Sequence, residues 1–119
     1  MEKAASEKPR RAVRGSTTGR PIMALLDLLG RRWTLRIVWE LRDSALTSRA
    51  LRELCDDASP TVLQARLTEL RQAGLVELQP ASGYRLTKLG RELMETVLPL
   101  HRFAERWSKS SAPERQPLP

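Results

Sequence analysis

Apolar residues recur at helical spacing through most of this chain and switch to alternation in one short stretch, which together predict a helical domain carrying a small hairpin. From Pro21 onward, Ile22, Leu25, Leu26 and Leu29 form a stripe that stops at Gly30, while Met23 and Leu28 point elsewhere. A helix apolar on more than one side needs more than one cover, so the pattern calls for a partner subunit as well as the domain's own core. A second helix is predicted over 32–42, with Trp33, Ile37, Val38 and Leu41 on one flank and Leu35 and Trp39 on another. It should be the central, most buried helix. Asp43-Ser44-Ala45 reads as a turn, and a third helix over 48–55 should bury Leu51, Leu54 and Cys55 while Arg49 and Arg52 face outward.

The stretch 59–77, SPTVLQARLTELRQAGLVE, organises the rest. Ser59 suits the N-cap because its hydroxyl can accept a free backbone N–H, and Pro60 suits the first helical position, where no N–H is needed. Leu63, Leu67 and Leu70 then mark the buried side, and projection at 100° per residue sends Thr61, Gln64, Ala65, Thr68 and Gln72 to the other. That outer face reads as free of charge. An exposed row of amides and hydroxyls fits entry into a DNA major groove, where Gln can pair with adenine and Thr can touch a thymine methyl. A merely polar helix face is the alternative. Gly74 supplies a left-handed stop, after which Leu75-Val76-Glu77-Leu78 alternates as a strand does.

Two strands, 76–79 and 84–86, bracket Pro80-Ala81-Ser82-Gly83 and make a brief wing. Arg85, beside that turn, could reach a phosphate or the minor groove, or serve as an edge charge that discourages aggregation. Thr87 is placed to cap a last, long helix. Its Leu93, Val97, Leu100, Ala104 and Trp107 follow the 4-3-4-3 spacing of a helix–helix seam, and Pro99 is expected to kink it. Phe103 and Trp107, a turn apart, need cover, and a second copy of the chain is the expected source. Helix, turn, helix, glycine stop and wing in this order predict a winged helix-turn-helix.

Composition narrows the function. The 119 residues provide for one domain, expected over 21–109, with a basic arm at 1–20 and a Pro-rich tail at 110–119 expected to be disordered. Of the net charge of +7, the arm holds +4, from six Lys or Arg against two Glu. Such a balance favours polyanions, nucleic acid ahead of anionic lipid, because no basic amphipathic helix stands out. No apolar run nears the roughly 18 residues that span a bilayer, and no signal-type segment is visible, so a cytoplasmic protein is expected. The single cysteine, Cys55, sits at an apolar position and reads as a buried, inert thiol. His101 has no companion ligand or acid in a recognisable motif, and no phosphate-cradling glycine loop occurs; enzyme, metal and cofactor readings find no footing.

Leu25-Leu26-Asp27-Leu28-Leu29-Gly30, Arg32-Trp33-Thr34, then Ser59, Leu63, Arg66-Leu67 and Glu69-Leu70 stand in the order seen in one family. With Gly74-Leu75-Val76-Glu77 and Tyr84-Arg85-Leu86-Thr87-Lys88-Leu89-Gly90, the chain resembles the HxlR-type winged helix-turn-helix regulators of bacteria from 21 to about 107. The MarR, PadR and ArsR types share the helix, the Gly-Leu-Val and the wing, and the early basic-Trp pair favours HxlR. The resemblance implies a homodimer joined through its first and last helices, with two reader helices in successive major grooves of a near-palindromic site. It gives Arg66 a phosphate-contacting or helix-bracing role. Many members carry a sensing cysteine before the first helix's proline; here that position is Arg20, and the wing is shorter than usual.

The reading is therefore a mainly α protein with a small β-wing, a winged helix-turn-helix with N- and C-terminal dimerisation helices. Expected base readers are Thr61, Gln64, Ala65 and Thr68, and expected phosphate or wing contacts are Arg49, Arg52, Arg66, Arg85 and Lys88. Ile22, Met23, Leu26, Leu100, Phe103 and Trp107 are the expected dimer surface. Double-stranded DNA and a second copy are the expected partners, with no membrane partner. A small apolar effector between the dimer helices near Trp33, Trp39 and Phe103 is a further expectation, against the simpler one that these rings fill core. The rival function is a winged helix turned protein-interaction module.

Overall fold

The protein is described by a computed structural model over residues 19–110. The expectations for the arm up to residue 18 and for the tail after 110 lie outside the described residues. Five helices and one hairpin follow in order: α1 (Pro21–Leu29), α2 (Thr34–Glu40), α3 (Ser48–Leu54), α4 (Pro60–Gln72), β1 (Val76–Gln79), β2 (Gly83–Leu86) and α5 (Lys88–Ser110). The fold is mainly helical with a two-stranded antiparallel wing, as the spacing predicts.

The core is built around α2 because Ile37, Val38 and Leu41 are buried there against Leu51 of α3 and Leu63, Leu67 and Leu70 of α4. Leu75, Val76, Tyr84 and Leu86 close it from the wing, and Met94 from α5. The predicted leucine stripe of α4 is its buried side. Cys55 is buried with them.

Local chemistry sets the boundaries of α4. Ser59 Oγ accepts from the N–H of Val62 at 3.1 Å, with Pro60 next in line. At the other end Leu75 N–H donates to the Leu70 carbonyl and Gly74 N–H to that of Arg71, the pair of bonds that closes a helix around a left-handed residue, here Gly74 at φ 80°. Thr87 joins this terminus to α5. Its hydroxyl donates to the Gly74 carbonyl at 2.6 Å and accepts from Gly90 N–H at 3.0 Å, so one side chain caps α5 and holds the helix–wing corner.

In the wing, Glu77 faces Arg85 and Leu78 faces Tyr84. Leu46 adds a third, one-residue rung on the far side of β2 by exchanging both backbone bonds with Tyr84. That rung was not expected, because a single residue in a link has no periodicity to reveal it. Gly83, at φ 99°, lies so near the Leu46 carbonyl that a Cβ there would collide with it.

Several expectations need correction. The second helix begins at Thr34, not at 32, because the chain turns after Gly30 and Trp33 takes a left-handed backbone, φ 78°, that no helical pattern discloses. Leu54 is 42% exposed instead of inward, since α3 ends there and Cys55 takes the core position. In α1 no residue is fully buried, and Leu28, outside the expected stripe, packs on the core while Ile22 and Leu26 stay exposed. Helix α5 carries Pro99 inside it and continues as one helix to Ser110. Its first half buries Gly90 and Met94, and Leu93 and Val97 pack on the core; Leu100, Phe103 and Trp107 are exposed.

Candidate nucleic-acid interface

The outward side of α4 carries Thr61, Gln64, Thr68 and Gln72, all exposed, with Ala65 half-buried between them. The three buried leucines fix the helix's rotation, so this strip has one direction to face. Gln64 is further restrained by donating from Nε2 to the Tyr84 hydroxyl at 3.3 Å, which ties the middle of the helix to the wing. The strip is not charge-free as expected. Arg71 is exposed one turn beyond Thr68 and shares a surface groove with Thr68, Gln72, Val76, Glu77 and Leu78. The spacing 64, 68, 71 could have shown this, but weighting the wheel toward Gln72 hid it.

The arginines named from the sequence divide by whether they are engaged. Arg49 and Arg52 on α3 and Lys88 at the start of α5 are exposed, and none makes an ion pair with another described residue. Arg85 is paired across the wing with Glu77. Arg66 lies on the α4 flank away from the strip, paired to Glu69 at 2.8 Å; Glu69 also takes Arg31 at 3.2 Å, and Arg31 reaches Asp27 at 3.3 Å. This chain of charges lashes α4 to α1 and lines a second open groove with Arg32.

Cys55 remains in the core, and burial pushes its thiol up, against the lowering pull of Arg36. Arg36 itself is bound to Glu40 and to the Leu54 carbonyl. Among the described residues no group of three His, Cys, Asp or Glu is arranged to hold a metal.

The residues expected to meet a second copy are exposed: Ile22, Met23 and Leu26 on α1, and Leu100, Phe103 and Trp107 on α5. Trp33 and Trp39 instead pack on the core. Trp39 is covered by His101, whose ring stacks at 4.5 Å, and by the Arg42 guanidinium at 4.0 Å. Neither groove is lined by Trp33, Trp39 or Phe103. His101, which has Glu105 at 3.4 Å, is thus a joint between α5 and α2.

Comparison with known proteins gives these elements a family. The HxlR-like helix-turn-helix model matches residues 28–112. An uncharacterised HTH-type transcriptional regulator of Synechocystis is 26% identical over 100 residues, covering 79% of this chain and 74% of that protein. Another, YybR of Bacillus subtilis, is 27% identical over 93 residues, 73% of this chain and 74% of its own. Among solved structures, quinone-bound YodB from B. subtilis superposes with TM-score 0.67 at 29% identity, covering 71% of this chain and 96% of that one. A possible HxlR family transcriptional factor from Thermoplasma volcanium gives 0.67 at 26% identity, covering 76% and 86%. No enzymatic family is indicated. Among the described residues, no helix is long and apolar enough to cross a membrane. With a capped, leucine-anchored helix beside a two-stranded wing and a family match over most of its length, the chain belongs to the HxlR-like helix-turn-helix family and is a transcriptional regulator with a helix-turn-helix DNA-binding domain.

Proposed function

We propose that the protein is a homodimeric, sequence-specific regulator that represses by occupying a near-palindromic operator. The observation that carries this reading is the outward strip of Thr61, Gln64 and Thr68 on a helix whose rotation the buried Leu63, Leu67 and Leu70 fix. Thr61, Gln64, Ala65 and Thr68 read base edges, while the exposed Arg49, Arg52 and Lys88 meet phosphates. Arg66 acts as a brace through Glu69. Repression follows from occupancy alone, which needs no further contact with polymerase.

Dimerisation is supported by Ile22, Met23, Leu26, Leu100, Phe103 and Trp107, which supply most of the large apolar side chains left exposed. Two reader helices one duplex turn apart require a two-fold site. Selection of bound fragments from the host genome tests the whole reading, with recovery of an inverted repeat expected. Binding should weaken steeply as salt rises, through counterion release. Salt-independent capture of a protein, with no fragment retained, would show an interaction module instead.

A small apolar effector is a second reading, supported by the quinone bound to the YodB neighbour. Quinones and related aromatics should raise the melting temperature or release DNA; if none of a broad set does either, the effector is dropped.

A further inference from the structure

The groove between α4 and the wing adds to the base reader Thr68 several residues that the reading above does not use. Its helix wall is Thr68, Arg71 and Gln72, and its strand wall is Val76, Glu77 and Leu78 of β1. Leu46 occupies the far side of β2, so β1 is the hairpin's open edge. Arg71 is exposed and, among the described residues, engaged by no carboxylate or carbonyl. Glu77 is the wing's one acid, and its carboxylate is held by Arg85 on the facing strand. Among the described residues the groove thus presents one free cation, two neutral polar groups and an acid whose charge is already matched.

We infer that this groove seats a sugar–phosphate strand of the bound duplex, with Arg71 as its phosphate contact and Arg85 as a positioning residue that keeps the Glu77 carboxylate turned from it. The inference rests on the DNA-binding reading above. A helix whose outer strip lies in a major groove has a backbone strand on each side, and a concave surface flanking the helix's last turns is where one of them passes. A carboxylate loose in that groove would repel the phosphate and capture Arg71. Cross-strand pairing removes both effects without placing Arg85 on the DNA. Arg71 also sits at the C-terminus of α4, where a cation suits the helix dipole. That role alone would leave affinity for DNA untouched when the charge is removed.

The test uses the full chain and fluorescence anisotropy on a genomic fragment that the wild type retains and on an unrelated duplex, with melting temperatures measured alongside. Arg71→Gln should weaken both duplexes alike, by about tenfold or more, and flatten the salt dependence by about two counterions per dimer, one for each protomer. Arg85→Gln should also weaken binding, and adding Glu77→Gln should restore it. Glu77→Gln alone should bind at least as well as the wild type. Unchanged affinity in Arg71→Gln, or failure of Glu77→Gln to rescue Arg85→Gln, overturns the inference while leaving the regulator reading standing. A wild type that retains no DNA at any salt removes both.

Discussion

Single side chains in this domain do structural and recognition work at different depths, and substitution separates the two. Thr34 is fully buried and its hydroxyl finds no hydrogen-bond partner among the described residues. Replacing it by valine keeps the shape and removes an unpaid desolvation cost, so Thr34→Val should raise stability by about 1 kcal/mol in urea unfolding. Gly90 is the opposite case. A methyl there would overlap the Leu75 carbonyl oxygen, and backbone cannot swing aside as a flexible side chain can. Gly90→Ala should therefore cost about 2–3 kcal/mol, seen as a lowered urea midpoint. On the strip, Gln64→Ala should narrow the gap between the preferred operator and single-base variants by roughly 1–3 kcal/mol at one position. Arg52→Ala should lower affinity for every duplex by a similar factor. Equal losses from both substitutions on specific and random DNA would defeat their separate roles.

The thiol adds a pH dependence. Because burial raises the pKa of Cys55 in the folded protein, the unfolded chain loses that proton first as pH climbs. The folded state then binds more protons than the unfolded one, and stability falls with rising pH above the thiol's ordinary range. Cys55→Ala should remove that part of the alkaline slope, whatever the void left behind costs at neutral pH. In native protein at neutral pH, a thiol reagent should react only as fast as the fold opens.

At the scale of elements, the ends that side chains cap were legible in the sequence, and the ends set by long-range contacts were not. Ser59, Pro60 and Gly74 announce α4 to the residue, and Thr87 announces α5, because a cap acts within four residues of itself. The late start of α2 escaped, since it follows from Trp33's left-handed turn rather than from any local preference for stopping. Leu54 escaped for a related reason: a helical wheel gives a direction, whereas burial depends on where the helix itself ends. The candidate interface was half readable in the same sense. Its row of amides and hydroxyls is a periodicity and Arg66 with Glu69 is an i,i+3 pair on one helix, but Arg85 with Glu77 depends on strand register and Arg31 with Glu69 on a contact between elements. Thr87→Val should lose the α5 cap and the bond to the Gly74 carbonyl together, costing about 1–2 kcal/mol, with a larger effect on the corner than on either helix alone.

For the whole molecule, the proposed dimer draws its support from the distribution of exposed apolar groups. Phe103 is 52% exposed and Leu100 57%, on a helix whose first half is committed to its own core. A soluble monomer rarely leaves such groups uncovered in series. If the proposed dimer forms through this face, Leu100→Glu with Phe103→Glu should yield a folded monomer by sedimentation, with its melting lowered by the lost association. Operator affinity should fall by about a hundredfold or more, because each half-site must then be bound without the other's help. A double variant that stays dimeric would place the interface elsewhere.

The stack of His101 on Trp39 turns the seating of α5 into an optical signal. An indole with an imidazole packed at 4.5 Å is open to quenching, so its emission follows the distance between those rings. Replacing Trp33 and Trp107 by phenylalanine leaves Trp39 as the one tryptophan, a built-in gauge that brightens when the long helix lifts from the domain and holds steady when it does not.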